Sequence, residues 1–471
     1  MISGLLTLLF YIVFVISVIR LIADNREPAK TIAWLLVFIV IPLLGFLIYL
    51  VLGRDWRSDR LNNKAKNKID RINRINFMSE IYSDNHISDE VLSDWSKSAV
   101  SLTKLNNNTQ LLSAESINYF DNGKDKFKAL IFDMSKAKQS IHLEYFIWEK
   151  DELTKKIFDV LVSRLKSGVE VRIMYDFLGS FTFSKSELRQ LKSLGAEVHA
   201  QVRDFRKINY RNHRKIAVID GSIGYTGGMN IGQEYIDGGK RFQTWRDTHI
   251  RVTGSVVYSL QDIFCRDWQK RTNVNLYNNK YFPTDLPKGK IITQLSYLGF
   301  ELKFEATKQL YLSAIMNARK KLYIQSPYFI PDSTLADALV TAALSGVDVR
   351  IMITGQPDKK LPWWAAHSFF ESLLKGGVKF YLYEAGFFHA KTLVIDDDMV
   401  SLGTTNFDIR SFSLQQEDTL LIFDSSVINQ HYQIFNSDQK KCRQVTMETI
   451  KNESSLIKFR NSLSRLFANL Y

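Results

Sequence analysis

Two long apolar runs open the chain. Residues 1–19, MISGLLTLLFYIVFVISVI, carry no charge, and TIAWLLVFIVIPLLGFLIYLVL follows at 31–52 after a short polar loop. Each is long enough to cross a bilayer as a helix, and Pro42 is expected to kink the second. A cleaved signal peptide is the weaker reading of the first run. It has no basic leader and no small-residue cleavage site, and a second run follows at once. Beyond residue 115 the pattern changes: short β-rich runs alternate with helix-periodic stretches, which indicates α/β architecture. The stretch between, residues 55–115, is basic and then polar without a clear motif, and is expected to be a juxtamembrane linker and lead-in.

The α/β part repeats itself. SGVEVRIM at 167–174 matches SGVDVRIM at 345–352. Before each lies a helix-periodic stretch, KKIFDVLVSRLK and then LADALVTAALS, and before that a strand-like run, IHLEYFI at 141–147 and LYIQSPYFI at 322–330. After each comes a further Gly-led strand, LGAEVHA at 194–200 and GGVKFYL at 376–382.

Each copy then reaches the same element, HRKIAVID at 213–220 and HAKTLVID at 389–396. His213 is followed by Lys215, Asp220 and Asn230, and His389 by Lys391, Asp396 and Asn406, at identical offsets. One such His-x-Lys-x4-Asp would arise by chance in about one chain of this composition in thirty. Two, in matching repeats with matching asparagines, are not accidental. On a strand, residues i and i+2 share a face, so each histidine projects beside its lysine. Asp220 and Asp396 lie roughly 23 Å further along a straight strand, which favours a structural role at the turn that ends it. A pseudo-twofold arrangement of the halves brings both histidines to one cleft.

Paired histidines suit displacement at a phosphodiester. One attacks phosphorus; the other protonates the leaving alkoxide and then takes a proton from the incoming hydroxyl. Lys215, Lys391, Asn230 and Asn406 can hold the phosphate oxygens. A nucleophilic histidine needs a carboxylate to fix its tautomer. WRDTH at 245–249 offers Asp247 for one, and LQQED at 414–418 offers Glu417 for the other. Exchanging one phosphodiester for another is close to thermoneutral, so no energy source is needed. No HExxH, CxxC, EF-hand loop or GxxxxGK[ST] occurs, so neither metal nor cofactor is expected.

Charge and cysteine content narrow the partner. The formal net charge is +13, which favours an anionic partner. Cys265 and Cys442 supply neither a disulfide framework nor paired metal ligands. The loop between the apolar runs carries Arg20, Arg26 and Lys30; the segment after them carries Arg54, Arg57, Arg60, Lys64, Lys66, Lys68, Arg71 and Arg74. The heavier cluster should stay cytoplasmic, placing both termini and the α/β part there, beside anionic headgroups. The other six histidines, His86, His142, His199, His249, His367 and His431, read as structural. LPWWAAHSFFESLL at 361–374 is aromatic-rich; core packing explains it better than a helix dipping into lipid.

The paired motifs resemble the phospholipase D superfamily, and the full set of segments resembles its bacterial cardiolipin synthases. Supporting stretches run from REPAKTIAWLLVFIVIPLLGFLIYLVLGR at 26–54 through INYRNHRKIAVIDG at 208–221, GGMNIGQEY at 227–235 and WRDTHIRVTG at 245–254. In the second half they are SPYFIPD at 326–332, FFHAKTLVID at 387–396 and GTTNFDIRSFSL at 403–414. Gln233 and Gln415 depart from residues usual in relatives.

The resemblance implies two tandem αβα-sandwich domains, 116–285 and 286–471, with pseudo-twofold symmetry. They would follow a transmembrane hairpin at 1–54. It implies conversion of two phosphatidylglycerol molecules to cardiolipin and glycerol through a phosphohistidine. His213, Lys215, Asp220, His389, Lys391 and Asp396 would form the catalytic motifs, with His213 the nucleophile and His389 the general acid, then base. Asp247 and Glu417 would stand behind His213 and His389. A phospholipase D, or transfer to another alcohol, would use the same residues. A nuclease is disfavoured by the hairpin and by the lack of an aromatic stacking platform. A silent anionic-lipid binder is disfavoured by two complete motif sets.

Overall fold

A computed structural model of the chain describes residues 2–23, 28–49, 53, 64–201, 209–299, 302 and 304–467. Two compact units result, one from residues 1–64 and 202–210 and the other from 65–201 and 211–471.

In the first unit a helix spans Ile2–Ala23. The second apolar run is broken rather than kinked. Helix Pro28–Val40 stops at Ile41, whose backbone is non-helical (φ −135°, ψ 71°), and Pro42 opens a new helix, Pro42–Ile48. Proline has no amide hydrogen to donate, so it is tolerated at a helix's first turn and disrupts its interior. Leu21, Phe38 and Tyr49 are buried together, with the Phe38 and Tyr49 rings edge-on at 5.3 Å. Among the described residues, no helix is long and apolar enough to cross a membrane. Arg54, Arg57 and Arg60 lie outside the described residues.

The second unit holds two sheets of matching order. The first runs Ser116–Phe120, His249–Thr253, Ile223–Gly227, Lys215–Ile219, Ser140–Tyr145, Glu170–Asp176, Glu197–Gln201. The second repeats this as Ile291–Leu298, Gln415–Ile422, Met399–Gly403, Thr392–Ile395, Lys321–Gln325, Asp348–Thr354, Lys379–Tyr383. It adds Leu112–Ala114 at one edge and Cys442–Val445 at the other. In both sheets the motif strand is central and antiparallel to the strand beside it. The sequence repeat is thus a repeat of topology.

The motif strands are buried on both faces, which explains their unbroken apolar runs. Ile216 and Val218 face a core shared with the second sheet, including Met352, Val394 and Leu420. Ala217 and Ile219 face the helices of their own half. The second motif strand does the same, with Val394 in the shared core and Leu393 and Ile395 among its own helices. Alternation along each strand therefore ties the halves together through one core.

The lead-in expected as a linker is folded. It contains helices Lys64–Asp84 and Asp94–Asn107, and its strand Leu112–Ala114 pairs with Ile291–Leu298 of the second sheet. Trp95, Ala99 and Val100 join the second half's core. This segment precedes the first repeat in sequence yet completes the second, a long-range pairing that local polarity does not reveal.

Candidate active site

The structure brings His213 and His389 into one cleft of about 620 Å³ that Asn230 and Asn406 also line. Both rings are largely buried. The other six histidines do not line this cleft.

Each histidine is held by the opposite half. His213 Nδ1 meets the Glu417 carboxylate at 3.0 and 3.1 Å, and His389 Nδ1 meets Asp247 at 2.6 Å. Glu417 therefore stands behind His213, and Asp247 behind His389. The backbone enforces this. Arg211–Asn212 pairs in parallel with Gln415–Gln416, and Phe387–Phe388 with Trp245–Arg246. His213 N donates to Gln416 O at 2.9 Å, and His389 N donates to Arg246 O at 2.7 Å. Each histidine thus docks on the residue before its partner carboxylate. Asp247 is steadied by Thr248 N at 2.7 Å and backed by Gly228, where a Cβ would come within 2.0 Å of its Oδ1.

The lysines lie deeper than expected. Neither lines the cleft; Lys215 Nζ donates to His213 O and Lys391 Nζ to His389 O. Burial pushes Lys215 down to about 7 and Lys391 down to about 8, against the pull of nearby carboxylates. Asn230 Oδ1 accepts from Ile147 N at 3.1 Å, while its Nδ2 donates to Tyr235 at 2.7 Å. The buried Asn406 Oδ1 has no hydrogen-bond partner among the described residues, so this acceptor is available to a ligand's hydroxyl donor.

Asp220 and Asp396 are not brought to the cleft. Asp220 accepts from the amides of Lys138, Gln139 and Ser140 at 2.8–2.9 Å; Asp396 accepts from Arg319, Lys320 and Lys321 at 2.7–2.8 Å. Both have positive φ, 51° and 44°, which Asp tolerates better than most residues. These contacts tie the strand-end turn to the start of the neighbouring strand.

The two histidine–carboxylate pairs differ electrostatically. Burial pushes Glu417 up to about 8, only partly opposed by Lys215. Burial likewise lowers His213, helped by Lys215 and Lys391. Burial acts to raise Asp247, but Lys391, His389 and the Thr248 amide outweigh it and hold Asp247 below its ordinary value. His389 falls to about 4, through burial and Lys391.

Several cleft residues were not singled out from sequence: Arg211, Glu234, Trp245, Tyr328, Asp358 and Arg410. Four of them have a usable signal, standing at fixed offsets from a motif residue in one copy or the other. The tryptophans of LPWW are half-buried. Trp363 Nε1 donates to Thr354 O at 3.0 Å, and Arg460 lies over the Trp364 ring at 4.5 Å.

A duplicated α/β sandwich with one composite cleft, two histidines and crossed carboxylates is the architecture of a phospholipase D-like phosphoryl-transfer enzyme. A family model described as "Cardiolipin synthase, PLD-like domain" matches residues 130–268 and 311–439, and one described as "Phospholipase_D-nuclease N-terminal" matches 9–54. The chain belongs to the cardiolipin synthases, phosphatidyltransferases of that superfamily. It is 37% identical to the Major cardiolipin synthase ClsA of Bacillus subtilis (strain 168), over 99% of this chain and 98% of that one. It is 36% identical to a cardiolipin synthase of Oceanobacillus iheyensis, over 99% of each. The fold is shared with a phosphatidylserine synthase of Haemophilus influenzae (TM-score 0.60, 18% identity, 79% of this chain and 98% of that one).

Proposed function

We propose that this synthase joins two phosphatidylglycerol molecules through a phosphohistidine, giving cardiolipin and glycerol. The observation that carries this is the crossed pair, His213 on Glu417 and His389 on Asp247. One histidine attacks the donor phosphorus. The other protonates the departing glycerol, then takes the proton of the acceptor's hydroxyl as that oxygen displaces the histidine. Resemblance favours His213 as nucleophile and His389 as acid, then base. Asn230 and Asn406 hold phosphate oxygens from the cleft wall. Lys215 and Lys391, one layer below, supply positive charge.

The experiment uses purified protein in mixed micelles with phosphatidylglycerol alone. Cardiolipin and glycerol should form in equal amounts, and both should vanish in His213→Ala and His389→Ala. Phosphatidic acid without cardiolipin would mean that water is the acceptor.

The apolar runs are read as a hairpin spanning the cell membrane twice, with the catalytic unit cytoplasmic beside anionic lipid. The distribution of lysine and arginine supports this orientation. Asn25→Cys should then react with an impermeant thiol reagent from outside intact cells, whereas Cys265 and Cys442 should not. If the Asn25→Cys protein stays unlabelled in intact cells and reacts only after lysis, the orientation is reversed.

A further inference from the structure

The two copies of the motif set differ chemically at equivalent positions, and all of these but the buried Phe387 line the cleft. Two residues before each histidine stand Arg211 and Phe387; two before each carboxylate stand Trp245 and Gln415; four after each asparagine stand Glu234 and Arg410. The crossing backbone bridges sort these by environment. Arg211 pairs with Gln415, and Phe387 pairs with Trp245. One end of the cleft therefore gathers Arg211, Gln415 and Arg410, with Asp408, and the rest of its wall includes Trp245, Glu234 and Asp358, with Lys359 and Lys360.

At the arginine end Asp176 grips Arg211 through Nε at 2.7 Å and through Nη2; Nη1 is not part of that grip. The guanidinium lies over the Phe146 ring at 5.0 Å, and that ring meets His213 edge-on at 5.0 Å. Arg410 lines the same cleft. Its pKa is lowered by burial and, against the pull of Asp408, by Arg211. Asp408 also caps its own helix through Ser411 N at 2.7 Å. On the rest of the wall Glu234 is raised to about 7 by burial and by Glu149, Asp151 and Asp358. Asp176 balances Arg211 and Asp408 pulls on Arg410, yet both guanidiniums line the cleft that holds His213, where a second phosphate would find charge-assisted donors.

The reaction supplies such an anion. The donor's phosphate must sit at the histidines. The acceptor lipid carries its own phosphodiester, set off from the attacking hydroxyl only by the three glycerol carbons, so it enters the cleft intact. Water or a simple alcohol brings no second phosphate. We infer that Arg211 and Arg410 form the subsite for the uncleaved phosphate of the acceptor lipid and thereby select a phosphatidyl alcohol over water. In the transfer step the acceptor oxygen bonds to the donor phosphorus and the phosphorus–histidine bond breaks. The hydroxyl proton passes to the other histidine, and no bond of the acceptor's phosphate changes. This rests on the two-lipid reading above.

The test is a competition within one tube. Full-length protein in phosphatidylglycerol micelles is given ethanol, and cardiolipin and phosphatidylethanol are measured together. In Arg410→Gln and Arg211→Gln the ratio of cardiolipin to phosphatidylethanol should fall about tenfold, the scale of one charge-assisted hydrogen bond. Arg410→Lys should fall less, and the apparent KM for acceptor lipid should rise more than kcat falls. An unchanged ratio overturns the inference, whether both products decline together through structural damage or neither declines. If a Gln variant yields neither product, the ratio in Arg410→Lys decides: equal to wild type, it overturns the subsite. If wild type makes phosphatidylethanol but no cardiolipin, the two-lipid reading itself has failed.

Discussion

His213 is oriented by a carboxylate 204 positions away, with Nδ1 at 3.0 Å from Glu417 of the other half. His389 returns the arrangement through Asp247, 142 positions back. Among the described residues, each of these pairs is completed only by the other half. Glu417→Gln and Asp247→Asn should each lower kcat on the order of 10³-fold while leaving the fold intact, since each keeps the shape and loses the tautomer control. Steady-state kinetics with melting curves checks this. A variant with near-normal kcat would mean that its carboxylate only packs.

Gly228 tests the same geometry from behind. An added Cβ would fall within 2.0 Å of Asp247 Oδ1. Gly228→Ala should displace Asp247 and cut kcat by about 10²-fold with a smaller effect on KM. Gly168, where an added Cβ meets nothing within 4 Å, provides the contrast. Its positive φ makes Gly168→Ala a modest stability change at most about 1 kcal/mol, read in thermal melts, with kcat preserved. Equal loss of kcat in both variants would refute the displacement argument.

Asp220 and Asp396 each accept three backbone amides at the far end of a motif strand. Asp396→Asn should cost about 1–3 kcal/mol of stability in urea unfolding. The folded fraction should keep kcat within about threefold. A loss as deep as that of His389→Ala in a stably folded variant would restore Asp396 to the chemistry.

Glu417 makes stability depend on pH in a definite direction. Its folded pKa is raised to about 8 from an ordinary 4.5. The folded state therefore holds a proton that the unfolded chain gives up between those values, and this group's contribution falls as pH rises from about 4.5 to 8. Glu417→Gln, which cannot ionise, should gain Tm relative to wild type as pH rises from 5 to 8. A constant difference across that range would show that Glu417 titrates normally.

The chemistry proposed is carried by side chains of this chain, the two histidines with their carboxylates, lysines and asparagines. Exhaustive chelation should leave turnover intact. Loss of activity that only an added metal restores would show that an ion belongs in the mechanism.

Much of this enzyme was legible in the chain itself. The repeat, the paired histidines with their lysines and asparagines, and the two candidate carboxylates are local patterns, set by strand alternation and fixed offsets. Which carboxylate serves which histidine was not local. It depends on two short parallel bridges between segments about 140 and 200 residues apart, and no spacing rule encodes that crossing. The same holds for Leu112–Ala114, which joins the sheet of the distant repeat. The differing charges of the two copies at the cleft fall between these cases. Glu234 and Arg410 stand at equivalent positions of the two copies, so their opposite charges could be read from the sequence. Only the tertiary structure gathers Arg410 with Arg211 and Glu234 with Asp358, because side chains share a field when folding brings them close in space.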